Sequence, residues 1–192
     1  MNVTHKLFAK LMMNKKLTIV GYLILAICFG FIINSVFFAD KTAETSNGKL
    51  SAVSSQALFA TSFPDENGKQ QALKQWQGEI IVLNFWATWC PPCREEMPEL
   101  SALNMQYQNK NVVVLGVSTD DVATVKKFTD ETKLSYPLFA ADMAGSDLAT
   151  SLGNNQDVLP YTVIIKADGM VAKTFFGRLS MPILEETLKK LL

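Results

Sequence analysis

The sequence predicts an α/β domain with a central mixed sheet flanked by helices, preceded by an N-terminal hairpin and, further upstream, by a single transmembrane helix. Three observations carry that prediction. Residues 80–86 (Ile-Ile-Val-Leu-Asn-Phe-Trp) are apolar on both alternating sets of positions except for Asn84, the pattern of a strand covered on both faces. A helical pattern and a second apolar run at 112–117 follow, and a β-α-β order implies a parallel pair with a right-handed crossover. Residues 161–165 and 171–176 flank Asp168-Gly169, a turn signal that makes them an antiparallel hairpin.

At 192 residues, 48% hydrophobic and 19% charged, the chain is long enough for one ordinary domain. Residues 17–39 carry no charge over 23 positions. At about 1.5 Å per helical residue that length crosses a hydrocarbon core of about 30 Å. The run is longer than the apolar region of a cleaved signal peptide and ends in Phe37-Phe38-Ala39, so an uncleaved anchor is expected. Cys28, inside it, reads as an inert membrane thiol. Lys6, Lys10, Lys15 and Lys16 precede the span and no acid does, which keeps a 1–16 tail cytoplasmic and exports everything after Ala39 to a periplasmic or other extracytoplasmic space. Beyond the span lie 14 of the 18 basic and all 18 acidic residues, a formal charge of −4 that disfavours nucleic-acid partners. The only histidine, His5, falls on the cytoplasmic side. Histidine-dependent catalysis and His-ligated metal or haem are therefore excluded for the exported part, and no metal or cofactor is expected.

Residues 40–57 are small, polar and aperiodic, a flexible spacer, and the domain is expected to fill 58–192. Residues 58–63 read as a short strand before a turn at Asn67-Gly68, and 73–76 as a helical turn stopped by Gly78. A helix starts beyond Cys90 with Pro91 at its first position, where a missing N–H costs nothing, and turns Met97, Leu100, Leu103 and Tyr107 inward. Residues 118–121 cap a helix bearing Val122, Val125 and Phe128 on one face. A third short strand at 137–140, a helix at 146–152 stopped by Gly153, and a closing helix at 181–192 with Ile183, Leu184, Leu188 and Leu191 inward complete the chain.

Strand, Trp-Cys-Pro-Pro-Cys at a helix start, a βα unit, then Leu159-Pro160-Tyr161-Thr162 before a terminal hairpin and helix: over about 58–192 the chain resembles the thioredoxin fold. The stretch from Asn84 to Cys93 (Asn-Phe-Trp-Ala-Thr-Trp-Cys-Pro-Pro-Cys) is similar, more narrowly, to membrane-anchored TlpA/ResA-type thiol–disulfide oxidoreductases, relatives of the cytochrome c maturation reductases. The resemblance implies a redox-active Cys90–Cys93 disulfide, protein disulfides as substrates, a transmembrane dithiol as electron donor and a cis Pro160 facing the sulfurs. In such proteins the residue before this proline pairs through its backbone with extended substrate. Asn84 stands where cytoplasmic thioredoxins have a buried Asp, so the carboxylate that assists the second thiol there must be replaced or absent here.

The thiolate is the attacking species, and a helix N-terminus lowers a thiol pKa. That position marks Cys90 as nucleophile and Cys93, one turn in, as the resolving thiol. A purely structural disulfide is the other reading; half a zinc site fails because the domain has no further Cys or His. Pro91 and Pro92 stiffen the loop and remove N–H donors that would stabilise a thiolate. Trp89, Pro91, Pro92, Leu159 and Pro160 are the expected substrate-binding residues, with Trp86 in the core. Glu96, three residues after Cys93 on the same helix face, is either the acid that tunes the thiols and accepts a proton or one more solvated charge in Arg94-Glu95-Glu96. The expected function is reduction of protein disulfides outside the cytoplasm, with Cys-X-X-Cys-His sites of apocytochrome c as a specific substrate. A peroxiredoxin-like peroxidase is an alternative, although its Pro-X-X-X-Thr-X-X-Cys context is missing, and a non-catalytic assembly factor is another.

Overall fold

The computed structural model describes residues 55–192. The expected tail, span and most of the spacer lie outside them, and among the described residues no helix is long and apolar enough to cross a membrane.

The elements in chain order are α1 (Gln56–Phe59), β1 (Ser62–Pro64), β2 (Gln70–Ala72), a 3-10 turn (Leu73–Trp76), β3 (Ile80–Trp86), α2 (Pro91–Tyr107), β4 (Val112–Ser118), α3 (Val122–Glu131), β5 (Leu138–Ala140), α4 (Asp142–Ser151), β6 (Tyr161–Ile165), β7 (Val171–Phe176) and α5 (Met181–Leu191). The main sheet has the order β5-β4-β3-β6-β7. β3 pairs parallel to β4 and β4 to β5, whereas β6 runs antiparallel to both β3 and β7, so the sheet is mixed. All seven residues of β3 are buried, as its two-sided apolar run requires.

β1 and β2 form the small antiparallel hairpin. Its turn is held by the Asp65 carboxylate, which accepts the N–H groups of Asn67 and Lys69, while Gly68 takes a φ of 79°. Residues 56–59 are helical, not part of a strand, so a helical turn takes in the last two residues of the expected spacer. This turn of helix buries Leu58 completely, and Ser55 before it is fixed by its N–H and hydroxyl, both donating to Gly169 O. α4 starts four residues earlier than the sequence pattern indicates. In α5, Leu184 and Leu188 point inward but Ile183 is 43% exposed, because the helix lays a narrower stripe on the sheet than its four apolar positions suggest.

Two apolar layers sandwich the sheet. Ile80, Val82 and Trp86 pack with Met97, Leu100 and Leu103 of α2 and Leu184 and Leu188 of α5. Ile81, Leu83 and Phe85 pack on the other side with Leu58, Phe63, Leu73 and Leu148. Gly116 lets β4 lie close under the first layer: a Cβ there would meet Leu138 Cδ2 at 2.5 Å, Tyr136 at 3.1 Å and Trp86 Nε1 at 3.2 Å.

Candidate active site

β3 delivers the chain to the site. After Trp86 it leaves the sheet, and Cys90 caps α2 in an extended conformation, with Pro91 and Pro92 as the first two helical residues. Cys90 and Cys93 are joined by a disulfide with Cα atoms 5.3 Å apart. Cys90 is 3% exposed and Cys93 fully buried, so any reagent from solvent meets Cys90 first. Arg94 N–H already donates to Cys90 O, and neither proline has an N–H to give. Of the first-turn donors only the Cys93 N–H is left to face an anion at this helix end. Thr88 N–H is held by the Asp120 carboxylate, itself fixed by the Ser118 hydroxyl at 2.9 Å, so the loop before the sulfurs is tied to the end of β4.

Behind the sulfurs lies a buried polar cluster. Glu96 is fully buried, which excludes the solvated-charge reading, while its neighbours Arg94 and Glu95 are exposed. Glu96 Oε1 accepts from Asn84 Nδ2 at 2.7 Å and Oε2 from the Leu179 N–H at 2.9 Å. Asn84 Nδ2 also donates to Thr162 Oγ1 at 2.9 Å. Burial pushes the Glu96 carboxyl above its ordinary value; the Leu179 and Asn84 donors and the nearby Arg178 charge pull the other way without cancelling it, and Glu99 adds to the rise. Arg178 is itself engaged with Glu95 at 3.2 Å and Glu99 at 3.4 Å on the surface. Thus Asn84 gives the central strand a neutral amide, and the buried carboxyl comes from α2 instead. Three buried polar atoms in this layer have no hydrogen-bond partner among the described residues: Asn84 Oδ1, Trp86 Nε1 and the Tyr136 hydroxyl, whose ionisation is pushed far up by burial and by the Glu96 charge.

The Leu159-Pro160 peptide bond is cis. Phe85 pairs with Tyr161 across β3 and β6, so Pro160 stands one step further along, opposite Trp86, at the sheet end from which the chain runs to Cys90. The Leu159 N–H and C=O make no hydrogen bond among the described residues. Trp89 is 69% exposed and lines, with Leu159, a recess beside the sulfurs, whereas Trp86 is fully buried. A second recess on the other flank is lined by Pro91, Arg94, Glu95, Phe128 and Thr132.

The cysteine pair, Trp89, the two prolines, Leu159 and Pro160 therefore converge at one end of the sheet, with Glu96 beneath them. Sequence reasoning did not single out Thr162, although it stands in the Leu-Pro-Tyr-Thr motif, nor Leu179, whose main-chain N–H reaches Glu96, nor Tyr136, whose hydroxyl is buried in the same layer; no local pattern announces the last two. Among the described residues no group of three or more His, Cys, Asp or Glu side chains is placed to hold a metal ion.

The profile of the AhpC/TSA family matches residues 55–174. Thiol-disulfide oxidoreductase ResA of Bacillus thuringiensis strain Al Hakam is 33% identical over 170 residues, 88% of this chain and 91% of the relative. ResA of Geobacillus thermodenitrificans is 31% identical over 176 residues, 91% and 93% of the two chains. A secreted Mycobacterium tuberculosis disulfide oxidoreductase homologous to E. coli DsbE has a similar fold, with a TM-score of 0.58 over 71% of this chain and 99% of that one at 22% identity.

Proposed function

The chain belongs to the AhpC/TSA family and is a ResA-like thiol–disulfide oxidoreductase acting on proteins, and from that premise we propose that it is a reductase of exported protein disulfides, anchored in the membrane by residues 17–39. In the reduced protein, the Cys90 thiolate attacks one sulfur of a substrate disulfide; that bond breaks, and the other substrate sulfur leaves as a thiolate and takes a proton. Glu96 accepts the proton of Cys93, whose thiolate then attacks Cys90 Sγ, breaks the mixed disulfide and releases the second substrate thiol. The substrate gains two electrons and the protein is left as the Cys90–Cys93 disulfide. A transmembrane dithiol carrying electrons from the cytoplasm restores the pair, since an oxidising compartment supplies none.

The observation that carries this reading is the redox pair at the start of α2, with Cys93 fully buried behind Cys90 and the open main chain of Leu159 on the same end of the sheet. An extended substrate can pair with that main chain while Trp89, Pro91 and Pro92 frame the approach. Two cysteines at Cys-X-X-Cys spacing favour exchange with disulfides over peroxide reduction by a single thiol. The specific substrate we infer is apocytochrome c before haem attachment, on the strength of the ResA-like sequence.

The test is trapping. Full-length Cys93→Ala protein should accumulate a mixed disulfide through Cys90 with an exported protein, and identification of that partner names the substrate. Absence of any adduct, or one formed by a Cys90→Ser chain instead, overturns the assignment of roles. Normal c-type cytochromes in cells lacking the gene would exclude the apocytochrome step alone.

A further inference from the structure

The recess beside Trp89 encloses about 170 Å³, the scale of one large side chain, between the exposed indole and the segment that leads into Pro160. Its walls include Thr119, Ser146, Asn154 and Leu159, and its one charged lining residue is Asp157. Asp157 makes no ion pair or hydrogen bond among the described residues. It is nonetheless firmly placed. Asn154, 2% exposed, donates through Nδ2 to Val158 O at 3.0 Å and accepts the Val158 N–H at 3.1 Å, so the turn that carries Asp157 is closed around a buried amide. The carboxylate sits two residues before Leu159, whose N–H and C=O are free to pair with extended polypeptide.

Two features of this recess select the same chemistry. An uncovered indole face attracts a cation through its quadrupole, and an unpaired carboxylate attracts one by charge. The opposite flank provides the contrast: its aromatic ring, Phe128, is already covered by Arg94, whose guanidinium lies 5.7 Å from the ring centroid. The one acidic residue lining that flank, Glu95, is already paired with Arg178 at 3.2 Å, so a cationic side chain of the substrate meets an unpaired carboxylate on the Trp89 side and Arg94 on the other. A lysine or arginine is long enough to lay its aliphatic stem along Trp89 and carry its charge to Asp157.

We propose that the Trp89 recess is a specificity subsite for a basic residue adjacent to the substrate cysteine, with Asp157 as the residue that sets the preference. The inference rests on the reductase reading above and names the class of protein segment that the site takes. An acidic neighbour in the same place meets the Asp157 charge and is disfavoured.

The experiment compares three disulfide-linked peptides that differ only in the residue next to the cysteine, Lys, Gln or Glu, reduced by the full-length chain. The expected ratio of kcat/KM for the Lys over the Glu peptide is about tenfold at low ionic strength, shrinking as salt is added. Asp157→Asn, which accommodates the left-handed backbone at this position (φ 50°), should bring the ratio to about one, and Asp157→Lys should invert it. Equal rates for the Lys and Glu peptides with the unaltered chain overturn the inference, as does a Lys preference that survives in both variants. Failure to reduce even the Gln peptide would instead overturn the reductase reading, so the two failures are told apart.

Discussion

The two faces of β3 are built from alternate residues of one strand and are put to different uses. Ile81, Leu83 and Phe85 enter a layer of hydrocarbon and aromatic side chains in which the one polar tip at its centre, the Tyr161 hydroxyl, is satisfied by Leu152 O at 2.7 Å. Ile80, Val82, Asn84 and Trp86 face a layer that also holds both cysteines, Glu96, Thr162 and three buried polar atoms without partners among the described residues. A buried polar atom left unpaired costs on the order of 1–3 kcal/mol, so the second face gives up stability where the first accumulates it. The difference shows how one domain can hold strained electrostatics beside its sulfurs: the neighbouring layer, a single strand away, contributes the cohesion.

That comparison can be broken by mutation. Leu83→Ala, on the apolar face, should cost about 2–5 kcal/mol, read as a lower urea midpoint at unchanged m-value, while the folded fraction still exchanges disulfides at the parent rate. A loss of exchange out of proportion to unfolding would mean that the faces are not separable. Gly116→Ala, on the polar face, should cost about 1–3 kcal/mol because its Cβ has no room beside Leu138 and Tyr136. It should also disturb the environment of Trp86, read from indole fluorescence; a silent spectrum would count against the tight packing of that layer.

The smallest effect separates the faces by pH. Glu96 has a folded-state pKa raised above its ordinary value of 4.5, so its protonated form favours folding. The contribution is present in full below that ordinary value and is lost as pH rises through the raised one. The stability of the parent relative to Glu96→Gln should therefore fall over that interval, and the pH profile of mixed-disulfide release should lose its carboxyl-dependent limb in the variant. A constant stability difference across the interval would show that Glu96 titrates as an ordinary surface acid and has no part in proton transfer.

Much of the fold was legible because its signals are local. The runs that became β3, β4, β6 and β7, the Asn67-Gly68 and Asp168-Gly169 turns and the cysteines after a buried strand each declare themselves within ten residues. Residues 56–59 did not, since one helical turn is too short for its period to show and its stability comes from the burial of Leu58 and the Ser55 anchor. Glu96 was undecidable from Arg94-Glu95-Glu96, where two adjacent glutamates differ only in the helix face they take. Its burial depends on which face of α2 meets Asn84 and on the Leu179 N–H arriving from 83 residues away. The Asp157 subsite was invisible for the same reason: it exists only where the α2 approach, α4 and the turn before Pro160 come together.

The attachment of Ser55 to Gly169 has a mechanical consequence. Gly169 lies in the turn between β6 and β7, at the end of the sheet where β3 begins, while the sulfurs lie past the end where β3 finishes. At about 3.3 Å per residue the six steps of β3 put these ends roughly 20 Å apart. A pull on the chain at Ser55 would load its hydrogen bonds to Gly169 and the β6–β7 hairpin, at the opposite end of β3 from the sulfurs. The domain would be held from behind while its sulfurs face whatever arrives in front.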